Sequence, residues 1–152
     1  MRRRIARWSL ALLLWPATAG AQDRWIDDNA EDLSRLYQHL HSHPELSLKE
    51  VETARRIGDE LERAGFRVTR GVGGTGLVGI LENGRGPTVL VRTDLDALPV
   101  TEATGLPYAS KVKTEWNGRE SFVAHSCGHD VHMASWIGAA RTLVALKDQW
   151  KG

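Results

Sequence analysis

The sequence contains very little cysteine: Cys127 is the only one among 152 residues. A single cysteine cannot form a disulfide within the chain, so a disulfide-stabilised scaffold is excluded. Its thiol must be free, paired with another molecule or bound to a metal ion. The chain is otherwise ordinary for a globular domain, with 41% hydrophobic and 26% charged residues.

Long apolar runs are also lacking. The longest, residues 5–15, is too short to cross a membrane, and no later segment approaches the ~20 apolar residues that a spanning helix needs. Three arginines precede this run and small residues follow it up to Ala21, which is the pattern of a signal peptide. We therefore expect residues 1–21 to be a signal peptide, residues 22–152 the mature chain, and the protein to be periplasmic or secreted. An uncleaved amphipathic anchor is the alternative.

The chain lacks the basic surface that is typical of nucleic-acid-binding domains. Its formal charge is +1, but residues 1–21 contain four arginines and no acid, so the mature chain carries −3. Nucleic acid is therefore not an expected partner.

Apolar residues at helical spacing predict a first helix that contains Leu33, Leu36 and Leu40. It should end near His43, because the residue before Pro44 disfavours helical geometry. A second helix is predicted after Ser47 and Glu50, which have the spacing of a capping box, and Gly65 should end it. Its predicted apolar face is Val51, Ala54, Ile57, Leu61 and Ala64.

Three short strands and a last helix complete the predicted pattern. The strands cover residues 66–69, 77–81 and 88–91, and Asn83-Gly84 is a turn signal between the last two. The last helix is predicted over residues 130–147. This order indicates an α/β fold with a mixed sheet and flanking helices.

The glycine-rich segment 71–76 matches the letters of a dinucleotide-binding fingerprint, G-x-G-x-x-G. That fingerprint requires a helix after the loop, so that the helix N-terminus faces the phosphates. Here a predicted strand follows. We therefore interpret the glycines as a turn between strands and expect no nucleotide site.

Two acidic residues, Asp94 and Asp96, follow the third predicted strand. Residues two apart on extended chain point to the same side, so both carboxylates can converge on one cation or share a proton. Alternatively they cap a turn. The residues alone leave both interpretations open.

The densest cluster of metal-ligand side chains is residues 125–132, His-Ser-Cys-Gly-His-Asp-Val-His. Cys127 and His129 flank a glycine, and a thiolate with an imidazole suits zinc and similar ions. Asp130 can accept a hydrogen bond from a ligand histidine, and His132 faces the same region. A polar loop around a buried thiol and a cysteine nucleophile paired with His129 are the alternatives, but a metal site uses all of these groups.

A second histidine group lies at the end of the first helix. His39 and His43 share a helical face and form a conceivable metal pair, but an exposed helix end is the favoured interpretation.

Three segments together resemble the aminoacylase and carboxypeptidase-like metallohydrolases, in particular the branch of hippurate hydrolase, N-acyl-amino-acid amidohydrolases and indole-acetyl-amino-acid hydrolases. They are residues 40–53, 91–102 and 125–134, which read LHSHPELSLKEVET, VRTDLDALPVTE and HSCGHDVHMA. The resemblance runs from about residue 31 to the end of the chain. It implies an α/β catalytic domain on a mixed sheet, with a smaller inserted dimerisation domain.

The resemblance also implies roles for individual residues. Cys127 and His129 match two metal ligands, and Asp96 matches an acid that orients a ligand. Asp94 stands where related peptidases place a ligand histidine, so its role is open, and Ser126 replaces the alanine that is commoner in the family.

The implied reaction is hydrolysis of N-acyl amino-acid amides by water bound to two divalent ions, Mn or Zn, with a glutamate as base. In the family that glutamate, the remaining ligands and the dimerisation domain follow the matched part, and full-length relatives are homodimers. The sequence thus predicts an N-terminal fragment of a metal-dependent amidohydrolase with little activity alone. The alternatives are a small exported metal-binding module without catalysis and a cysteine hydrolase.

Overall fold

The structure, a computed structural model, describes residues 19–152. The helices are α1 (Ala19–Ser42), α2 (Val51–Arg63) and α3 (His129–Ala145), and a short 3-10 helix follows at Lys147–Gln149. The strands form two antiparallel hairpins, β1 (Arg67–Val72) with β2 (Gly76–Ile80) and β3 (Lys113–Trp116) with β4 (Arg119–Phe122). The predicted α/β class is confirmed, as helices with small antiparallel sheets.

The predicted signal peptide lies outside the described residues, except for residues 19–21 at the start of α1. Among residues 19–152, none of the helices has the length and apolar character needed to cross a membrane.

The main core is formed where the three helices meet. α1 and α3 pack closely, since a Cβ added at Gly138 would lie 3.0 Å from Leu33 Cδ1. α1 begins before its predicted apolar stripe, because the polar residues 22–29 continue it, and it ends at Ser42 as predicted. The buried core residues are Leu36, Leu40, Ile57, Leu61, Met133, Ile137 and Ala140.

The start of α2 differs from the predicted capping box. Glu50 is the N-terminal cap residue but its side chain caps no amide; it accepts a hydrogen bond from Thr75 Oγ1 at 2.6 Å. Glu45 caps the helix instead: its carboxylate accepts from the backbone amides of Thr53 at 2.7 Å and Glu52 at 3.2 Å. Val51, predicted on the buried face, is exposed.

The glycine-rich segment is a turn between antiparallel strands, as predicted. β1 pairs with β2 from Arg67–Ile80 to Val72–Gly76, so no helix follows the loop. The hairpin packs on α2, because the absent side chain of Gly79 leaves room for Leu61. Gly65 ends α2 at φ 90°, where a side chain would strain the backbone.

The predicted strand at residues 88–91 is wrong for the described part of the chain. These residues are extended but belong to no strand, and Leu90 is 88% exposed. Their β-branched, apolar composition suits a buried strand, but a strand needs a neighbour, and none within residues 19–152 pairs with them. The Asn83-Gly84 turn therefore joins no hairpin; Asn83 N instead donates to Gly152 O at 2.8 Å.

The β3–β4 hairpin was not predicted, although Asn117-Gly118 at its tip is a typical hairpin turn with φ of 53° and 75°. α3 starts one residue earlier than predicted and ends at Ala145 rather than 147.

A smaller core brings three distant segments side by side next to α3. Leu46 forms a parallel bridge with Ala97, and Leu98 an antiparallel one with Ala124. Leu46, Ala97 and Val123 are buried together. Mixed pairing is therefore present here, in single bridges, and it sets residues 94–96 beside residues 125–129.

Candidate metal centre

His129, the first residue of α3, is held by the segment that carries the two aspartates. Its Nδ1 lies 2.8 Å from the Asp96 backbone oxygen and 3.0 Å from the Asp96 carboxylate. Both of these oxygens accept, so Nδ1 carries a proton, and in the neutral tautomer Nε2 then holds the free lone pair. The structure thus gives Asp96 a contact that orients the His129 ring.

Asp94 lies on the other side of the same ring. Its carboxylate is 3.9 Å from His129 Nε2, a separation that two metal–ligand bonds of about 2.0–2.2 Å each can bridge. Asp94 also contacts the exposed Arg92 guanidinium. The two carboxylates therefore face different nitrogens of one imidazole rather than capping a turn.

Cys127 lies in the turn before α3 and is exposed. Gly128, between Cys127 and His129, has φ 74°, a conformation that favours glycine, and it starts the helix without a side-chain cap. His132 stacks on His129 with ring centroids 6.1 Å apart. His129 and His132 therefore lie side by side at the start of α3, and the Cys127 thiol in the preceding turn is accessible.

Asp130 contacts a histidine other than His129. It is buried, and its Oδ2 lies 2.6 Å from Nδ1 of His41, at the end of α1. Its Oδ1 accepts from the Val131 amide at 2.9 Å. Asp96 contacts Nδ1 of His129, and Asp130 contacts Nδ1 of His41.

Sequence reasoning missed the partners of that histidine. His41 Nε2 lies 2.9 Å from Glu102, which is also buried. Burial disfavours the imidazolium, but hydrogen bonds to Glu102 and Asp130 outweigh it and raise the pKa of His41. No short-range signal marks these partners, which are 61 and 89 residues away along the chain.

Two aromatic side chains cover this cluster. Tyr37 and Tyr108 each meet the His41 ring, with centroids 5.5 and 5.4 Å away. Burial, then the neighbouring Tyr108, raises the pKa of Tyr37 to about 12. The surroundings of His41 are thus largely closed to solvent.

His125 is buried, 7% exposed, and neither ring nitrogen has a hydrogen-bond partner among the described residues. Burial is the main cause of the lowered pKa of His125. The other histidine pair is unrelated: His39 and His43 stack 4.5 Å apart on the exposed end of α1, as the favoured interpretation had it.

The donor set of Cys127, His129 and Asp94 suits a divalent transition ion, because it combines thiolate, imidazole and carboxylate. Within residues 19–152, however, no three His, Cys, Asp or Glu side chains are grouped closely enough to hold a metal ion by themselves. The residues therefore fit part of a metal site.

Comparison with known proteins confirms the predicted resemblance. Residues 90–152 match the profile of Peptidase family M20/M25/M40, and that stretch includes Asp94, Asp96, Cys127 and His129. The chain is thus similar to hydrolases of this family over the N-terminal part of their sequences.

Particular relatives make the relationship specific. N-acetyl-L-cysteine deacetylase of Bacillus subtilis is 40% identical over 123 residues, 80% of this chain and 28% of the relative. Hippurate hydrolase of Campylobacter jejuni is 36% identical over 121 residues, 79% of this chain and 30% of the relative. A Bacillus subtilis crystal structure described as a dinuclear metal binding peptidase from the M20 family superposes with a TM-score of 0.72 at 38% identity, covering 83% of this chain and 34% of that one.

The chain spans about a third of the length of the relatives that it matches.

Proposed function

We propose that this chain contributes Cys127 and His129 as ligands to a metal-dependent hydrolase of amide bonds in N-acyl amino acids or related small amides. The observation that carries the proposal is the fixed His129 ring, whose Nδ1 is occupied by Asp96 and whose Nε2 is left for a metal. Ligand histidines in proteins are oriented in this way by a partner on the other nitrogen. The hydrolase relatives support the reaction class.

Two divalent ions, manganese or zinc, would lower the pKa of a bound water and polarise the scissile carbonyl. The residues of this chain would hold the metal ions and orient their ligands. Asp96 fixes the His129 imidazole, Cys127 supplies a thiolate, and Asp94 adds negative charge beside His129 Nε2. Asp130 and His132 support the same turn from α3.

We further propose that the chain by itself hydrolyses such amides very slowly. A catalytic zinc ion normally has three protein ligands, whereas no group of three is assembled within residues 19–152. The exposed segment 88–91 supports a hydrolase part over a self-contained metal-binding module, because a small module would bury such residues. Export to the periplasm or medium, and homodimers of the complete enzyme, belong to the same proposal.

The test measures metal binding and turnover separately. Cobalt(II) added to the purified chain should give a thiolate-to-cobalt absorption band that Cys127→Ser removes and His39→Gln, on an exposed helix end, does not. Hippurate with manganese or zinc should show negligible hydrolysis. A missing band would contradict the ligand assignment, and robust metal-dependent turnover would contradict the proposal that the chain alone is inactive. Submicromolar zinc binding by a stable monomer would instead favour the module.

A further inference from the structure

Two anchors hold the turn that carries Cys127 and His129, and both lead to His41. At the end of this turn, the Asp130 carboxylate lies 2.6 Å from His41 Nδ1. The second anchor starts at His41 Nε2, which is 2.9 Å from Glu102. His41 therefore contacts two carboxylates from different parts of the chain through its two nitrogens.

The Glu102 branch reaches the beginning of the same turn. Glu102 accepts a 2.6 Å hydrogen bond from the Ser110 amide, and Ser110 Oγ donates to the Val123 backbone oxygen at 2.7 Å. Val123 comes two residues before His125, where the turn begins. The segment 123–130 is thus tied to one imidazole at both ends.

The chemistry of the contacts makes His41 an ion. When both carboxylates are ionised they only accept hydrogen bonds, so both ring nitrogens then donate and the ring is an imidazolium between two anions. The contacts are buried, with side-chain exposures of 9% for His41, 5% for Glu102 and 2% for Asp130. Charge-assisted bonds in such surroundings are strong and directional.

The α3 end of the turn has few restraints of its own, whereas its beginning is also held by backbone hydrogen bonds between Ala124 and Leu98 and from the Val123 amide to the Val112 oxygen, each 3.0 Å long. Gly128 is conformationally permissive and α3 has no side-chain cap at its start. Inside the turn, the Ser126 amide donates to the Ala124 oxygen at 2.9 Å, whereas the Gly128 amide reaches the His125 oxygen only at 3.4 Å.

We infer that His41 is a positioning residue, which clamps both ends of the segment 123–130 and so sets the place of Cys127 and His129 relative to Asp96. His41 touches neither ligand and acts through Asp130 and Glu102. This inference rests on the proposed function for its metal consequence, whereas its structural consequence can be measured without a metal.

The experiment compares His41→Gln with His39→Gln in the isotope-labelled chain. A glutamine side chain donates from its nitrogen only and turns an acceptor oxygen to the other side, so it can replace one ring nitrogen of His41 but not both, and one anchor is lost. His39 lies two residues earlier on the exposed side of α1. In His41→Gln we expect the amide signals of residues 127–129 to shift and their hydrogen exchange to rise about tenfold, as local opening becomes easier. Cobalt affinity should fall about 10- to 100-fold, the effect usual for residues that support ligands. His39→Gln should change neither.

Unchanged amide signals and exchange in a folded His41→Gln chain would overturn the inference. If the wild-type chain gives no cobalt–thiolate band, the proposed function fails, and the amide measurements still decide the role of His41. If His41→Gln does not fold, Glu102→Gln replaces it: this variant keeps an acceptor for His41 but removes the charge, and a smaller change in the same signals is expected. If Glu102→Gln changes neither the amide signals nor the hydrogen exchange of residues 127–129, the inference is also overturned.

Discussion

The Glu45 carboxylate accepts a 2.7 Å hydrogen bond from the backbone amide of Thr53, eight residues later. The same residue accepts from the Ala97 amide through its backbone oxygen at 2.7 Å. One residue thus caps α2 with its side chain and holds the segment behind Asp96 with its backbone. The stability of α2 and the position of the candidate metal centre depend on a shared turn.

We predict that Glu45→Ala lowers the free energy of unfolding by about 1 kcal/mol, the usual cost of losing a helix N-terminal cap. The two amides capped by Glu45 would lose their acceptor, while the backbone bond to Ala97 would remain. Urea denaturation followed by circular dichroism measures the change. Glu31→Ala is the control, because its exposed pair with Arg35 should contribute under about 0.5 kcal/mol. Equal midpoints for the two variants would refute the capping role.

We predict that Asp96→Ala weakens cobalt binding about tenfold but leaves the protonated nitrogen of His129 unchanged. The carboxylate is lost, yet the Asp96 backbone oxygen still accepts from Nδ1 at 2.8 Å. Cobalt titration gives the affinity, and ¹⁵N NMR of the imidazole reports which nitrogen carries the proton.

Glu120→Ala is a suitable control for this prediction, because it removes an exposed carboxylate that pairs with Lys113, away from the candidate site. A His129 ring that moves its proton to Nε2 in Asp96→Ala would show that the backbone contact does not orient it. Unaltered cobalt affinity would show that the carboxylate has no part in the site.

We predict that Leu90→Lys reduces self-association of the chain without lowering its free energy of unfolding. Leu90 is 88% exposed between the exposed Val89 and Val91, so a charge there costs no buried contact and interrupts an apolar, unpaired edge. Light scattering against concentration measures association. Leu48→Lys is the control, because Leu48 is 82% exposed but lies outside this segment. Equal reduction by both variants would contradict a specific role of residues 89–91.

The helices could be predicted from the sequence because each contains its own apolar stripe. Leu36 and Leu40 of α1 and Ile57 and Leu61 of α2 lie in the core as their spacing indicated. The predicted strand at residues 88–91 is absent, since pairing depends on a neighbour that the local pattern does not specify. The capping-box prediction failed for a related reason. Glu45 lies outside the four-residue pattern, and its carboxylate accepts the hydrogen bonds from the first amides of α2.

The candidate site was predictable where its residues are close in sequence. Cys127 and His129 belong to one dense local motif. The contact between His129 and Asp96 joins that motif to the Asp94–Asp96 pair, and each of the two was recognisable on its own. The His41–Glu102 contact carries no such signal, because each residue is unremarkable in its own segment and only the fold brings them together.

The contribution of His41 to stability should depend on pH in a defined direction. The pKa of His41 is raised above its ordinary 6.5, so its contribution is fully present below pH 6.5 and is lost as pH rises through the folded-state value. Burial acts to raise the pKa of Glu102, but hydrogen bonds from Thr104, His41 and Ser110 lower it below 4.5, so its contribution is lost only in stronger acid. The contact between His41 and Glu102 therefore stabilises the folded chain most between pH 4.5 and 6.5.

We predict that the difference in unfolding free energy between wild type and His41→Gln is largest at about pH 5.5 and shrinks towards about pH 8.5. Tyr37 and Tyr108 also face the cluster and are common to both chains. His125 faces it too, and the loss of the His41 charge relieves part of the lowering of the His125 pKa, which reduces the difference at low pH. Urea denaturation at several pH values measures it. His39→Gln is the control of opposite sign. His39 is exposed overall, but partial desolvation of its ring, followed by the positive charges of Arg56, His43 and Arg55, lowers its pKa, so its contribution should grow as pH rises to 6.5. A His41→Gln difference that grows with pH would mean that His41 is neutral in the folded chain and that its two carboxylate contacts are not both hydrogen bonds donated by the ring.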